Sequence, residues 1–239
     1  IDSIKSQTSS DYILTIAADS NIPDECKKLL SDKNIDVKWF EPASFFRKGG
    51  IWKKITETWK TTDTEYLAFM HYDDLWDSKK LELQIEKMEK EKLNSSWSEV
   101  YVIDDRGNVV SPDCSHILEF DKNSAGKRTV AQAHSMIVRR DVFFESGIME
   151  FQDKWSPVFE DLFIVFCNKL GRGKKVLGAR FFWRNHAMNM SNSILTDTKW
   201  KDLMSEQKLI GQYNDDNIQK DMNEMHNVMI NTIQKIHES

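Results

Sequence analysis

The sequence predicts an α/β layered fold, with a mostly parallel central sheet and helices on both faces. Three observations predict it. Short strand-like runs alternate with helical ones along most of the chain. Apolar residues of the helical runs recur at a spacing of three to four. A chain of 239 residues, 40% hydrophobic and 30% charged, can bury a substantial core without being apolar overall.

The elements follow in order. Residues 1–9 resemble the end of a helix. "DYILTIAADS" is a strand that closes in small polar residues. "IPDECKKLLSDKN" is a short helix with Pro23 in its first turn. "IDVKWFEP" is a second strand, stopped before Pro42. In "GGIWKKITETWKTT", Ile51, Ile55 and Trp59 recur every four residues, which makes a helix. "EYLAFMHY" is a third strand. "SKKLELQIEKMEKEK" is an amphipathic helix with Leu81, Ile85 and Met88 on one face. "SEVYVIDDRGNVV" forms a hairpin around Asp105-Arg106-Gly107-Asn108. "VAQAHSMIVRRDVF" is a strand running into a helix. "FEDLFIVFCNKLGRG" is a helix that opens on two acids and stops at glycine. "KKVLGARFFWRNH" is a further strand. Beyond Ser191 the pattern is helical, with Ile218, Met222, Met225, Met229 and Ile236 on one stripe. That stripe reads as packing, against the domain or a second copy.

Composition excludes several classes. A net charge of −5 argues against general affinity for nucleic acid. Cys26, Cys114 and Cys167 are scattered and odd in number, which suggests a reducing compartment and no disulfide framework. No apolar run approaches the roughly 20 residues that span a bilayer. No signal-peptide pattern opens the sequence.

In α/β sheets, ligands sit beyond the carboxyl ends of strands. That rule gathers Asp19 and Ser20, Asp73 and Asp74, and His186. Adjacent carboxylates repel unless a positive group stands between them. A hard cation, Mg²⁺ or Mn²⁺, suits Asp73 and Asp74, because it takes carboxylate and phosphate oxygens together. A helix cap near Ser78 or a solvated turn accounts for the same pair. Glu160 and Asp161 open an apolar helix whose dipole favours ionised carboxylates. They suit a general base, or simply a favourable first turn. His186, after Arg184 and Asn185, is a candidate for metal or phosphate. Lys54 lies in a basic cluster with Arg47, Lys48 and Lys53; it suits diphosphate or a solvated helix face. Arg139 and Arg140 suit an anionic acceptor or a surface. Trp155 suits stacking on a sugar ring or burial in the core.

Taken in order, these pieces resemble the inverting glycosyltransferases of the GT-A fold, the large family 2 type of bacterial polysaccharide and lipopolysaccharide assembly. The resemblance runs from about Ile1 to Ser193. It rests on "SIKSQTSSDYILTIAADSN", "TEYLAFMHYDDLWDSKKLELQ", "HSMIVRRDVFFESGIMEFQ", "FEDLFIVFCNKLGRGKKV" and "FFWRNHAMNMSNS". It implies a transferase domain over residues 1–195 and a helical extension over 196–239. It implies Asp161 as general base with Glu160 beside it. Asp73 would hold Mn²⁺ or Mg²⁺ with His186, and Asp74 would be structural. Asp19, Ser20, His71, Asp73, Asp74 and Lys54 would meet the donor, a UDP-, dTDP- or GDP-sugar. Trp155 and Arg139 would meet a glycan or lipid-linked acceptor. A cytoplasmic protein, at most peripheral on the membrane's cytoplasmic face and pairing through its C-terminal helices, is the expectation.

The sequence departs from the family's pattern in three places. His71 stands where the first acid of the DXD motif is expected. Ala17 and Ala18 stand where the nucleotide-binding turn often carries acids. The family's opening central strand has no counterpart, so a preceding segment or another chain is expected to supply it. These departures keep a second reading open: a degenerate relative that binds nucleotide or sugar, or scaffolds, without catalysis. "DDLWD" also fits the DDxxD of all-helical terpene synthases, which the predicted strands oppose.

Overall fold

The computed structural model describes residues 1–42, 50–115, 132–151, 163–164, 167 and 171–186. Within them the chain has an α/β layered architecture, a sheet flanked by helices. The order is α1 (Asp2–Lys5), β1 (Thr15–Asp19), α2 (Asp24–Asp32), β2 (Asp36–Phe40), α3 (Gly50–Lys60), β3 (Tyr66–Ala68), β4 (Leu75–Trp76), α4 (Lys80–Glu91), β5 (Ser95–Ile103), β6 (Val109–Ser111), β7 (Met136–Arg139), α5 (Arg140–Glu145) and β8 (Gly173–Arg184). Most lie where the sequence predicts them.

The sheet is mixed where strand–helix alternation predicts a mostly parallel one. β1–β2 and β5–β8 are parallel; β3–β7, β5–β7, β5–β6 and β4–β8 are antiparallel. A parallel crossover needs a dozen or more connecting residues. The six residues 69–74 between β3 and β4 are too few, and β4 turns instead onto β8. Among the described residues the strands fall into a β1–β2 pair and a six-stranded sheet, β3-β7-β5-β8-β4 with β6 on β5. No described ladder joins the two where the resemblance expects a central strand.

β5 is the axis of the larger sheet. Strands buried on both faces read as continuous apolar or small-residue runs, and Ser95, Ser96, Trp97, Ser98 and Val100 are all fully enclosed. Its partner β8 shifts register between Ser98 and Glu99. Gly178 sits in that irregularity at φ +86°, a conformation that favours glycine, and its N–H reaches the Glu99 carboxylate at 3.2 Å. The β5–β6 hairpin closes on Asp104, whose carboxylate accepts from the N–H groups of Arg106 and Asn108.

Beside the sheet, the predicted stripe of α4 is present: Met88 is buried, with Leu81 and Ile85 packed against it, Leu93 and Ile137. Deeper still lie Lys80 and Gln84, both fully enclosed. The Gln84 Nε2 donates to Ser96 Oγ at 3.0 Å and to the Ser135 carbonyl at 3.2 Å, which satisfies the donor side of the amide. α3 covers an aromatic cluster. Trp52 and Trp59 meet Phe69 at ring-centroid distances of 4.7 and 6.0 Å, and Phe163 meets Trp52 at 5.4 Å. This cluster ends at Phe69, two residues before His71, and so forms the floor under the turn that follows β3.

Candidate functional site

The turn after β3 carries His71, Tyr72, Asp73 and Asp74. Its two adjacent carboxylates diverge. Asp73 Oδ2 lies 3.0 Å from His186 Nε2, and both side chains keep partial access to solvent. Asp74 is buried. Its Oδ1 accepts the backbone N–H of Arg184 at 3.0 Å, and its Oδ2 lies 3.3 Å from His134 Nδ1. Each carboxylate thus has its own positive or donating neighbours, which lessens the repulsion between them.

Arg184, at the end of β8, fastens this arrangement. Its Nε donates to the Asp73 carbonyl at 2.9 Å, and its Nη1 to the carbonyls of Asp104 and Asp105 at 2.9 and 3.0 Å. One planar guanidinium therefore holds the β3–β4 turn against the β5–β6 turn. The next residue continues the clamp, with Asn185 N–H on the Ile103 carbonyl at 2.8 Å. His186 is delivered to Asp73 by this register.

His134 comes from a single 3₁₀ turn, Ala133–Ser135, just before β7. Antiparallel pairing of Ala68 with Ile137 brings it opposite His71, and the two rings stand 3.8 Å apart. Phe69 and Phe181 lie against the His134 ring at 4.9 and 5.9 Å. This apolar enclosure sets the electrostatics. Burial, then repulsion from His134, lowers the His71 imidazole to about 3, against the opposing pull of Asp74 and Asp73. Burial raises the Asp74 carboxyl to about 7, opposed by the Arg184 N–H. A neutral imidazole presents a ring-nitrogen lone pair, so His71 stands ready as a ligand at neutral pH. His71, Asp74 and His134 offer ligand atoms that all lie within 4.8 Å of one another, a set able to hold a metal ion.

The structure brings together Asp73, Asp74, His71 and His186 from the sequence reading. Asp74, the buried carboxylate of the turn, lies beside His134 and takes the Arg184 N–H. Asp19 and Lys54 form a separate, partly buried ion pair at the end of β1, so the Lys54 ammonium is committed to a carboxylate. Ser20 beside them donates its backbone N–H to the Phe40 carbonyl. Arg139 is not brought to the cluster. It pairs with Tyr66 across the β3–β7 ladder, at the end of β3 remote from His71, and its guanidinium binds Asp141 at 2.8 Å and Glu65 at 3.6 Å. Glu160, Asp161 and Trp155, with Arg47, Lys48 and the helical extension over 196–239, lie outside the described residues. Sequence reasoning missed His134. A lone histidine in "AQAHSM" has no ligand spacing to reveal it, and only the β3–β7 pairing gives it a partner.

No protein-family model matches the chain, and no curated protein matches its sequence. Solved structures do. TarS of S. aureus, residues 1–349 in complex with UDP-GlcNAc, superposes with a TM-score of 0.58 at 12% identity, over 80% of this chain and 55% of that one. The same segment in complex with UDP gives 0.57 at 12% identity, over 77% and 55%. A longer S. aureus TarS structure gives 0.56 at 13% identity, over 77% and 33%. The chain spans about half the length of the TarS 1–349 structures it matches. The likeness is one of fold: this chain has a GT-A-like α/β fold with a buried His/Asp cluster at the turn that follows β3.

Proposed function

We propose that the protein is an inverting glycosyltransferase, moving a sugar from a nucleotide-sugar donor to a glycan or lipid-linked acceptor in bacterial surface-polysaccharide synthesis. The observation that carries this reading is the gathering of Asp73, His186 and Arg184 at the turn after β3 of a GT-A-like fold. S. aureus TarS, of similar fold, has been seen in complex with UDP and UDP-GlcNAc.

A divalent ion, Mn²⁺ or Mg²⁺, would stabilise a departing diphosphate as a Lewis acid. The partly exposed Asp73 carboxylate, with His186 beside it, is the donor pair suited to hold it. Asp161 accepts the proton of the acceptor hydroxyl, whose oxygen forms the new bond to the anomeric carbon while the bond to the diphosphate breaks. Glu160 lies beside it in sequence. Phe163, two residues on, packs in the aromatic cluster that also holds Phe69, which supports a place for this helix near the turn. Asp19, Ser20 and His71 serve the donor side, with Lys54 orienting Asp19. Trp155 serves the acceptor. The domain occupies residues 1–195, the extension 196–239 pairs copies, and the enzyme works in the cytoplasm or on the membrane's cytoplasmic face.

The test is a thermal-shift screen of UDP-, GDP-, dTDP- and CMP-sugars with and without Mn²⁺. At least one nucleotide sugar raises the melting temperature; saturation at 100 times Kd contributes about 2.7 kcal/mol. Asp73→Ala removes the Mn²⁺-dependent part of the shift. Asp161→Ala abolishes transfer and leaves donor binding. A screen in which no nucleotide sugar stabilises the protein ends this reading. The non-catalytic alternative is favoured by His71, where the first acid of the DXD motif is expected, and by Ala17 and Ala18 in place of acids at the nucleotide-binding turn. Tight donor binding with neither hydrolysis nor transfer would establish it.

A further inference from the structure

Next to the partly exposed Asp73–His186 pair lies a second donor set with different chemistry. We propose that His71, Asp74 and His134 form a binding site for a nitrogen-preferring divalent transition ion of the zinc class, distinct from the Asp73–His186 pair. The proposal stands whether or not the chain transfers a sugar.

Four observations carry it. The first is spacing. All three ligand atoms lie within 4.8 Å of one another. The 3.3 Å between His134 Nδ1 and Asp74 Oδ2 is also the edge of a coordination tetrahedron. With metal–ligand bonds of about 2.0–2.1 Å, that edge is about 3.3–3.4 Å. The second is orientation. The Arg184 N–H occupies Asp74 Oδ1 and so directs Oδ2 toward the imidazoles, the role outer groups play around a metal. The third is rigidity. Phe69 and Phe181 pack on the His134 ring, and the His71 ring lies 3.8 Å from it, which fixes both imidazoles in a largely dry setting. The fourth is access. Asp74 and His134 are buried, whereas His71 keeps partial exposure. A fourth coordination position can therefore open on the His71 side, as at three-ligand zinc sites that keep a place for water or substrate.

Donor type decides which ion. Mg²⁺ and Ca²⁺ take oxygen ligands, and Mg²⁺ keeps several waters. Two imidazoles and one carboxylate suit zinc, cobalt or iron instead. A simple Asp74–His134 hydrogen bond would use only one of the two histidines, and the contact between the imidazoles would gain nothing from it.

The test uses the full chain stripped with a chelator and titrated with Co²⁺, whose visible absorption reports its ligand set. One Co²⁺ binds per chain with an intense tetrahedral-type spectrum, Zn²⁺ displaces it, and a large excess of Mg²⁺ does not. His71→Ala and His134→Ala each weaken binding by roughly 100-fold or more, while His186→Ala keeps it within a few-fold. Asp74→Asn, nearly isosteric and still able to accept from Arg184, weakens binding with the fold intact by circular dichroism. It guards against a fold defect in the alanine variants. Failure of the folded wild-type chain to take up Co²⁺ or Zn²⁺ overturns the proposal. So does a His186→Ala variant that loses the ion as completely as His134→Ala.

Discussion

Replacing Lys80 with methionine stabilises the protein below pH 7. Lys80 opens α4 with its side chain fully buried. No described hydrogen-bond acceptor reaches its Nζ, which lies 4.2 Å from the centre of the Trp76 ring. Burial lowers this amine from its ordinary 10.5 to about 7. The folded state therefore binds fewer protons than the unfolded state between about pH 7 and 10.5, and stability rises with pH across that window. Below about 7 the amine is charged in both states, and the full penalty of an enclosed ammonium is present. Set against the attraction of the indole face, that penalty is roughly 2–5 kcal/mol. Methionine has similar volume and no charge to bury. Lys80→Met should raise the urea midpoint at pH 6 and flatten the rise in stability between pH 7 and 10. A loss of stability at pH 6 would mean that the ammonium makes a favourable contact there and that its burial is not a penalty.

Lys80 also marks a limit of the sequence as a guide. Periodicity reveals α4 because Leu81, Ile85 and Met88 recur at helical spacing, and that face does meet the core. The innermost stripe is nevertheless Lys80, Gln84 and Met88, one step round the helix. Residue type alone ranks lysine and glutamine as outward. What holds Gln84 inside is a pair of acceptors on β5 and beside β7, residues distant in sequence. The strands were legible from their apolar runs, but their directions were not. Direction depends on which strand each segment pairs with, and the two residues of β4 carry no signal for pairing with β8.

The same division holds at the site. Asp73 and His186 stand out in the sequence because each is a polar residue at the close of an apolar run, and the structure sets them 3.0 Å apart. The separate roles of Asp73 and Asp74 were not legible. Neighbouring carboxylates look alike until one is buried between the Arg184 backbone N–H and His134. Arg184 was visible as a charge at a strand end, yet its role is mechanical: four backbone carbonyl and carboxylate bonds fix where His186 and Asp74 stand. The site's geometry thus depends on how firmly β8 is held to β5.

That dependence makes Asp113 the second position where one substitution should act strongly. Its Oδ1 accepts from Val100 N–H at 2.8 Å, Ser115 N–H at 3.0 Å and Ser115 Oγ at 2.6 Å, while its Oδ2 meets the Lys175 ammonium. Val100 is on β5 and Lys175 on β8, so one carboxylate joins the central parallel pair to the segment that follows β6. Burial alone would raise its pKa, but hydrogen bonds from Lys175, Ser115 and Val100 hold it below the usual carboxylate value. Asp113→Ala leaves the Lys175 ammonium, whose side chain is only 4% exposed, with the Ser115 carbonyl but no counter-charge from Asp113. Breaking a buried pair by removing one partner typically costs 3–5 kcal/mol. Asp113 itself is 21% exposed, and solvent screening reduces the expected loss to about 2–4 kcal/mol. The urea midpoint should fall accordingly. Because the folded pKa of Asp113 lies below its ordinary 3.8, its contribution is complete above that value and fades as pH drops through the folded one. The double variant Asp113→Ala, Lys175→Met separates the causes. If the loss comes from an unpaired buried cation, removing the cation should recover most of it; if the double variant is no more stable than the single, the three hydrogen bonds to Oδ1 carry the effect instead.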